Sequence, residues 1–478
     1  MGEADRSASE LPVGGGGEWV DDVLLGGSGQ DVALHLGGPV SRAELRRLVA
    51  DEQRRLRAAG LAAGGSLAVR LPPSLSCVVT MLAGWRSGAQ VALLDYRLTR
   101  HEVDEALALL APQVVAEPTD PVTGTLRGYV DVRSRIATPA TGRPAATPHA
   151  LLQLSSGSTG PSKVIGRTVE SLLTELDRYA RLDGYPARGE RTVVLASIVH
   201  VLGLVGGLLS GLAAGSQVVL PRTHTLDGIV RAVATGEEPT TLIGVPSQAA
   251  MLAAAGAPPR LPRLRRMIVG GELVKPGVRE RFTRAYGAEL GVMYGMTEVG
   301  VIATDVSGAH TPGLVPVHGM RVRIEDGQIL LGLPASPYVG RTDRTRFVDG
   351  WLRTKDAGGI DPASGLLTVH GRLDAQVSVG GLKVDLAEVE ATLAALPGVI
   401  DAVVVQGTGI EGFVTVREPG AFAALADALA ARLAPYKRPR TLHLLPALPR
   451  TATGKPVRDA EALRAAVRAA ASVGAAQA

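Results

Sequence analysis

The chain has a single cysteine, Cys77, in 478 residues. No intrachain disulfide and no multi-cysteine metal site can form. Cys77 sits in the apolar run Ser76–Leu82, so the thiol reads as a buried helix residue. Charge of one sign is also missing. Lys+Arg is 50 and Asp+Glu is 46, a net charge of +4. That balance points to no nucleic-acid partner. Lysine is scarce, six against 44 arginines, and reads as codon usage more than function. The N-terminus has no basic start followed by an apolar stretch, so no signal peptide is expected. One long apolar run exists, from Val193 to Pro221, interrupted only by the titratable His200. Its length suits a membrane span, but its texture does not. β-branched ends flank a middle broken by Gly203, Gly206, Gly207, Gly211 and Gly215. A buried strand–helix–strand unit fits better. No membrane partner is expected, and the expected compartment is the cytoplasm.

What is present is an ordinary globular composition, 46% hydrophobic and 20% charged. At about 100–200 residues per domain the chain is too long for one core. Alternation over 20–37 suggests short strands. Ser41-Arg42-Ala43-Glu44 is a capping box that opens a helix to about residue 59. Strands are expected at 67–71, 90–94 and 113–117, with helices at 74–88 and 100–110 between them. From 190 to 298 strands at 192–197, 216–220, 240–244, 265–270 and 289–293 alternate with helices at 202–214, 226–235, 247–255 and 275–286. This is the pattern of a parallel sheet covered by helices. Past residue 373 the order changes. Asp385, with Glu388 three residues on, caps a helix to about 395. Strands at 399–406 and 411–417, a helix at 420–433 and a strand at 441–445 complete a small α+β unit. The Ala-rich end, 466–478, is expected to fray. The fold class is therefore α/β, a large N-terminal domain of parallel sheets under helices (1–372) joined by a hinge to a small α+β domain (373–478).

In open parallel sheets ligands lie beyond the carboxyl ends of the strands. The residues there are His200, Gly244–Ser247, Gly270-Gly271-Glu272 and Tyr294-Gly295-Met296-Thr297-Glu298. The strongest local signal is Ser155-Ser156-Gly157-Ser158-Thr159-Gly160-Pro161-Ser162-Lys163, hydroxyls and glycines in a short loop closed by lysine. Such a loop makes an anion-binding concavity, and the lysine adds a point charge for phosphate. It is not a Walker loop, because Ser162 precedes Lys163 and no Ser/Thr follows. Ser/Gly loops also serve as linkers; the lysine and the flanking apolar strand favour the anion site.

From this loop onward the chain resembles the adenylate-forming superfamily of acyl-CoA ligases, aryl-acid activating enzymes and peptide-synthetase adenylation domains. Ser155–Lys163 resembles its phosphate loop. Tyr294–Glu298 resembles the motif in which threonine meets phosphate and glutamate holds magnesium. Trp351-Leu352-Arg353-Thr354-Lys355-Asp356 is similar to the segment whose aspartate grips the ATP ribose, with Lys355 where the family has glycine. Gly371-Arg372-Leu373-Asp374 resembles the hinge, with Arg372 on the ribose and Asp374 as pivot. Gly380-Gly381-Leu382-Lys383 resembles the loop that approaches the thiol acceptor, and Pro449–Lys455 the C-terminal signature with its catalytic lysine, Lys455. The resemblance implies ATP and Mg²⁺ as cofactors, Glu298 as metal ligand, and CoA or a phosphopantetheine carrier protein as acceptor. Gly270-Gly271-Glu272 would wall adenine on one face and Tyr294 on the other.

The acid pocket is expected from His200, Val201, Leu204, Val205, Gly244, Val245, Gly270 and Val299, with His200 as gate or wall. Leu152-Gln153-Leu154 and Val164–Thr168 look closest to stand-alone aryl-acid enzymes. Those relatives often carry His-Asn where this chain has His200-Val201, which argues against a catechol- or salicylate-type acid. No aspartate stands between Arg191 and Pro221 to meet an α-amine. The reading is activation of a small aromatic acid as acyl-AMP with release of pyrophosphate, then transfer to a thiol. The alternatives are adenylation of another nucleophile, such as nitrite for diazotising an aryl amine, and a degenerate nucleotide-binding scaffold.

Overall fold

The structure is a computed structural model that describes residues 16–120, 122, 128–155, 163–275, 277–340, 345–373, 376–449 and 456–476. Two large mixed sheets form the bulk of the chain. The nine-stranded sheet runs Val315–Pro316, Gly300–Asp305, Glu289–Met296, Leu264–Gly270, Thr240–Gly244, Arg191–Val194, Gln217–Val219, Val32–His35 and Pro39–Ser41. Its six central strands are parallel, and antiparallel strands close both edges. The seven-stranded sheet has a parallel centre of Leu151–Ser155, Gln90–Leu93, Ser66–Val69 and Val114–Pro118. Buried on both faces, these central strands are continuous apolar runs. That continuity makes the strand–helix alternation readable.

In the large domain the sheets and two helical segments differ from the sequence expectation. The sheets are mixed, and a third sheet lies between them and the C-terminal part. It is antiparallel: Arg321–Glu325, Gln328–Gly332, Trp351–Ile360, Phe347–Val348 and Leu367–Arg372. Its outer strands are half-exposed and carry arginines, so no apolar run announces them. Residues Val20–Leu24 form a short π-helix, not a strand, with Val20 and Leu24 buried. The helix expected at 202–214 starts as a π-helix, Leu202–Leu209, before turning α at Ser210–Ala214.

The glycines of that segment explain its texture. A Cβ on Gly207 would sit 2.8 Å from Val194, and one on Gly206 2.8 Å from the Tyr179 hydroxyl. The helix therefore packs backbone-close onto the sheet, which only glycine allows. The Gly206 carbonyl accepts from Ser210 Oγ at 2.7 Å and from the Tyr185 hydroxyl. Among the described residues no helix is long and apolar enough to cross a membrane.

The helix caps follow the sequence. Ser41 Oγ accepts from the Glu44 amide at 3.1 Å, and Thr99 with Glu102 closes a complete capping box at the start of Arg100–Leu110. Asp385 caps Leu386–Ala394 through the Ala387 amide at 2.8 Å. Glu388 turns instead to Lys437. The small lobe packs that helix and Leu425–Arg432 beside the three-stranded sheet Val399–Gln406, Ile410–Val416 and Thr441–Leu444. The single helix expected at 420–433 is two, Pro419–Ala423 and Leu425–Arg432. The Ala-rich end is helical over Ala460–Ala476, anchored by the fully buried Leu463.

Candidate active site

A cavity of about 930 Å³ opens where the two large sheets, the antiparallel sheet and the small lobe meet. The antiparallel sheet fixes its deepest polar group. Asp356 and Arg372 face each other in register on neighbouring strands. Arg372 donates to Asp356 Oδ1 at 3.0 Å, and the Tyr294 hydroxyl donates to Oδ2 at 2.7 Å. The Asp356 amide is held at 3.0 Å by Thr354 Oγ1, which itself donates to the Ile329 carbonyl at 2.7 Å. Asp356 is thus buried, oriented from three sides and paired with a guanidinium. Burial and the neighbouring Asp356 carboxylate push the Tyr294 hydroxyl far up, so it stays a donor.

Glu298 ends the other arm. It accepts from the Tyr338 hydroxyl at 3.0 Å and lies 3.6 Å from the Arg346 guanidinium. Lys163, opposite Ser155 in the strand pair Leu151–Ser155 and Lys163–Arg167, brings its ammonium to 5.4 Å from the Tyr338 ring centroid. Glu298 and Thr297 offer hard oxygen donors, one carboxylate and one hydroxyl. That set suits a magnesium ion that takes its remaining ligands from water and nucleotide phosphates.

At the mouth, the small lobe closes on the large one. Gly381 donates to Glu272 Oε1 at 3.1 Å and Lys383 Nζ to the Gly271 carbonyl at 3.2 Å. A Cβ at Gly381, whose φ is +83°, would drive into Val245. Glycine is required there both for conformation and for the approach.

On the apolar side the wall is Leu93, Leu94, Leu98, Ala106, Leu109 and Val199. His200 joins them, with Nε2 3.7 Å from Asp95 Oδ2. Arg97 grips Asp95 through Nε at 2.8 Å and Nη2 at 2.5 Å. Burial opposes ionisation of Asp95, but the nearby His200 and the hydrogen-bonded Arg97 outweigh it and hold the carboxyl well below the usual range. Gln153 donates to the Val199 carbonyl at 2.6 Å and so fixes the backbone before His200.

The cavity therefore gathers Lys163, His200, Gly271, Glu272, Tyr294, Gly295, Met296, Thr297, Glu298, Asp356, Arg372 and Lys383 of the residues singled out from sequence. It does not gather the expected acid pocket. Leu204 and Val205 are fully buried in the main core, Val201 packs against that core, and Val299 belongs to the core beneath the antiparallel sheet. Gly244, Val245, Gly270 and Gly380 do not line the cavity, although Val245 meets Gly381. The reason is geometric: the π-helix turns its valines and leucines inward to the sheet. Ser155 is described as the last residue of its strand. Ser156, Gly157, Ser158, Thr159, Gly160, Asp374 and Lys455 lie outside the described residues. Asp95, Gln153, Tyr338, Arg346 and Lys437 line the cavity without having been singled out. Two of them carried a signal. Asp95 follows a strand at its carboxyl end, and Gln153 is a lone amide inside an apolar strand.

Residues 27–331 match the AMP-binding enzyme family and residues 388–455 the AMP-binding enzyme C-terminal domain. A feruloyl-CoA synthase of Amycolatopsis is 30% identical over 471 residues, 88% of this chain and 93% of that protein. A 4-hydroxybenzoate–CoA/benzoate–CoA ligase of Rhodopseudomonas palustris is 30% identical over 356 residues, 66% of this chain and 65% of the ligase. Among solved structures, a malonyl-CoA ligase with methylmalonyl-CoA and AMP bound superposes with a TM-score of 0.74 at 27% identity, covering 90% of this chain and 99% of that one. With a family match over more than half its length and a relative spanned almost end to end, the chain belongs to the AMP-binding enzyme family.

Proposed function

We propose that this protein is an AMP-forming ligase that activates a small aromatic carboxylic acid with ATP and passes the acyl group to the thiol of CoA or of a carrier protein. The observation that carries the reading is the convergence of Tyr294, Asp356 and Arg372 with Glu298 and Lys163 on one cavity that also has an apolar wall. In the first step an acid oxygen bonds to the α-phosphorus and the bond to pyrophosphate breaks. In the second a thiol sulfur bonds to the acyl carbon and AMP leaves.

The chain's own groups divide the work. Asp356, with both oxygens already oriented, accepts from the ribose hydroxyls, and Arg372 stands beside it. Lys163 and Thr297 meet the phosphates, whose charge must be neutralised as it shifts to the leaving group. Magnesium, held by Glu298 and phosphate oxygens, supplies further neutralisation when bound. Leu93, Leu94, Leu98 and Leu109 take the ring of the acid, with His200 beside its carboxylate end. The docking of Gly381 and Lys383 on Glu272 and Gly271 fits the transfer step. Rotation of residues 373–478 about Asp374 would bring Lys455 to the acid for adenylation.

The test is pyrophosphate release with ATP over a panel of aromatic, aliphatic and amino acids, with and without CoA. Release that depends on an aromatic acid is expected. Release with nitrite and an aryl amine but no acid, or none at all, contradicts the reading.

A further inference from the structure

Arg346 is absent from every motif considered above, yet it is 7% exposed and lines the same cavity as Thr297 and Glu298. It enters from the edge of the sheet that carries Asp356. Its carbonyl accepts from the Arg353 amide at 2.8 Å, and the short strand Phe347–Val348 that follows pairs with Trp351–Ile360. Arg346 is therefore held by the backbone pairing of the antiparallel sheet, and the guanidinium is presented from it.

Its contacts are suggestive in their geometry. Nε donates to the Tyr338 hydroxyl at 3.2 Å, and that hydroxyl donates onward to Glu298 Oε1 at 3.0 Å. The direct approach of Arg346 Nη2 to Glu298 is 3.6 Å, longer than a charge-assisted hydrogen bond of about 2.7–2.9 Å. Tyr338 and Arg346 thus converge on one oxygen of the carboxylate that would bind a metal. Arg346 reaches it as an ion pair without the fork-to-carboxylate fit that guanidinium favours. On the same tyrosine ring lies Lys163, which closes the Ser/Gly loop.

We propose that Arg346 is a further catalytic residue, an exchangeable partner of Glu298 that binds the β- and γ-phosphates of ATP once magnesium engages the carboxylate. The inference rests on the reading of this cavity as an ATP site. Two groups cannot both hold Glu298 as its sole counter-charge. When a divalent ion takes the carboxylate, it repels the guanidinium beside it, and the polyphosphate that the ion itself binds offers the guanidinium an anion. A planar fork of donors suits phosphate oxygens better than its present oblique approach to Glu298. The exchange needs only a side-chain rotation, since the backbone is held by the sheet.

Calorimetric titration of the full chain with ATP and with AMP, in magnesium and without any acid, separates the possibilities with no turnover. AMP lacks the phosphates assigned to Arg346. Arg346→Met is expected to weaken ATP binding by about tenfold or more while changing AMP binding by less than about twofold, the loss of a hydrogen-bonded charge. Arg346→Lys, which keeps the charge but not the fork, should fall between. Unchanged ATP affinity in Arg346→Met overturns the proposal. So does equal loss of ATP and AMP in variants shown by thermal unfolding to be folded. If the unaltered protein binds neither nucleotide, the ATP reading itself fails, an outcome distinct from either of these.

Discussion

The ammonium of Lys437, in the small lobe, lies 3.0 Å from the carboxylate of Glu102 in the large one. It also lies 2.8 Å from Glu388 of its own lobe, and next to it Tyr436 stacks under Arg97 at 5.1 Å. Burial opposes the charge on Lys437, but Glu388, Tyr436 and Glu102 outweigh it and hold the ammonium's pKa above that of an ordinary lysine. The contact therefore fastens the lobes in the arrangement that sets Lys383 against Gly271. Lys437→Met is expected to slow acyl transfer by about tenfold, the worth of one charge-assisted hydrogen bond, and adenylation by less than about twofold. Single-turnover assays of the two half-reactions check this; equal losses would count against it.

Asp95 gives a pH prediction. Its folded pKa lies below the ordinary 3.8 because His200 and Arg97 hold it ionised against burial. A depressed carboxyl stabilises the fold above its unfolded pKa, and that stability is lost as pH falls below 3.8 toward the folded value. Asp95→Asn should therefore cost about 3 kcal/mol at neutral pH, as breaking a buried pair does. The gap between the two proteins in urea unfolding should stay level down to about pH 5 and shrink only below pH 4. A gap that closed between pH 7 and pH 5 would show that the carboxylate is not held in this way.

Gly300 stands at the turn after Glu298 with φ +87°, and a Cβ there would meet the Glu175 carboxylate. Glu175 is fully buried, 2.9 Å from Arg167, and accepts from the Val301 amide at 3.1 Å. Gly300→Ala should cost at least about 3 kcal/mol, combining left-handed strain with displacement of a buried ion pair. A urea midpoint within error of the parent's would refute it.

Lys455→Ala should lower acid-dependent pyrophosphate release by at least about a hundredfold, since it removes a cation from the charge that develops in the transition state. AMP binding should persist. Unchanged release would remove Lys455 from the mechanism.

Much of this was legible because the chemistry is strung along the chain in short segments. Tyr294–Glu298 could be placed beyond the carboxyl end of a parallel strand, and Asp356 and Arg372 through their resemblance to the superfamily's segments. The parallel strands between 190 and 298 were readable because burial on both faces makes each a continuous apolar run. The antiparallel strands at 321–372 carry arginines and glycines among their apolar residues, so no continuous apolar run announces them. The acid wall expected from sequence differs from the wall that lines the cavity for a different reason. The apolar residues after His200 pack inward, whereas Leu93, Leu94, Leu98 and Leu109 reach the cavity from a strand end, the loop after it and the helix Arg100–Leu110, far away in sequence. Glu102 shows the limit most clearly: it closes the capping box with Thr99 and becomes a contact between lobes only when Lys437 arrives from more than three hundred residues on.

The central claim is that the cavity joins an acid to AMP. Mass spectrometry of a thiol-free reaction with ATP, magnesium and an accepted aromatic acid tests it most directly. The account predicts an acyl-AMP, together with pyrophosphate, that disappears when CoA or a carrier thiol is added. ADP with inorganic phosphate, or ATP left intact beside every acid tried, would contradict it.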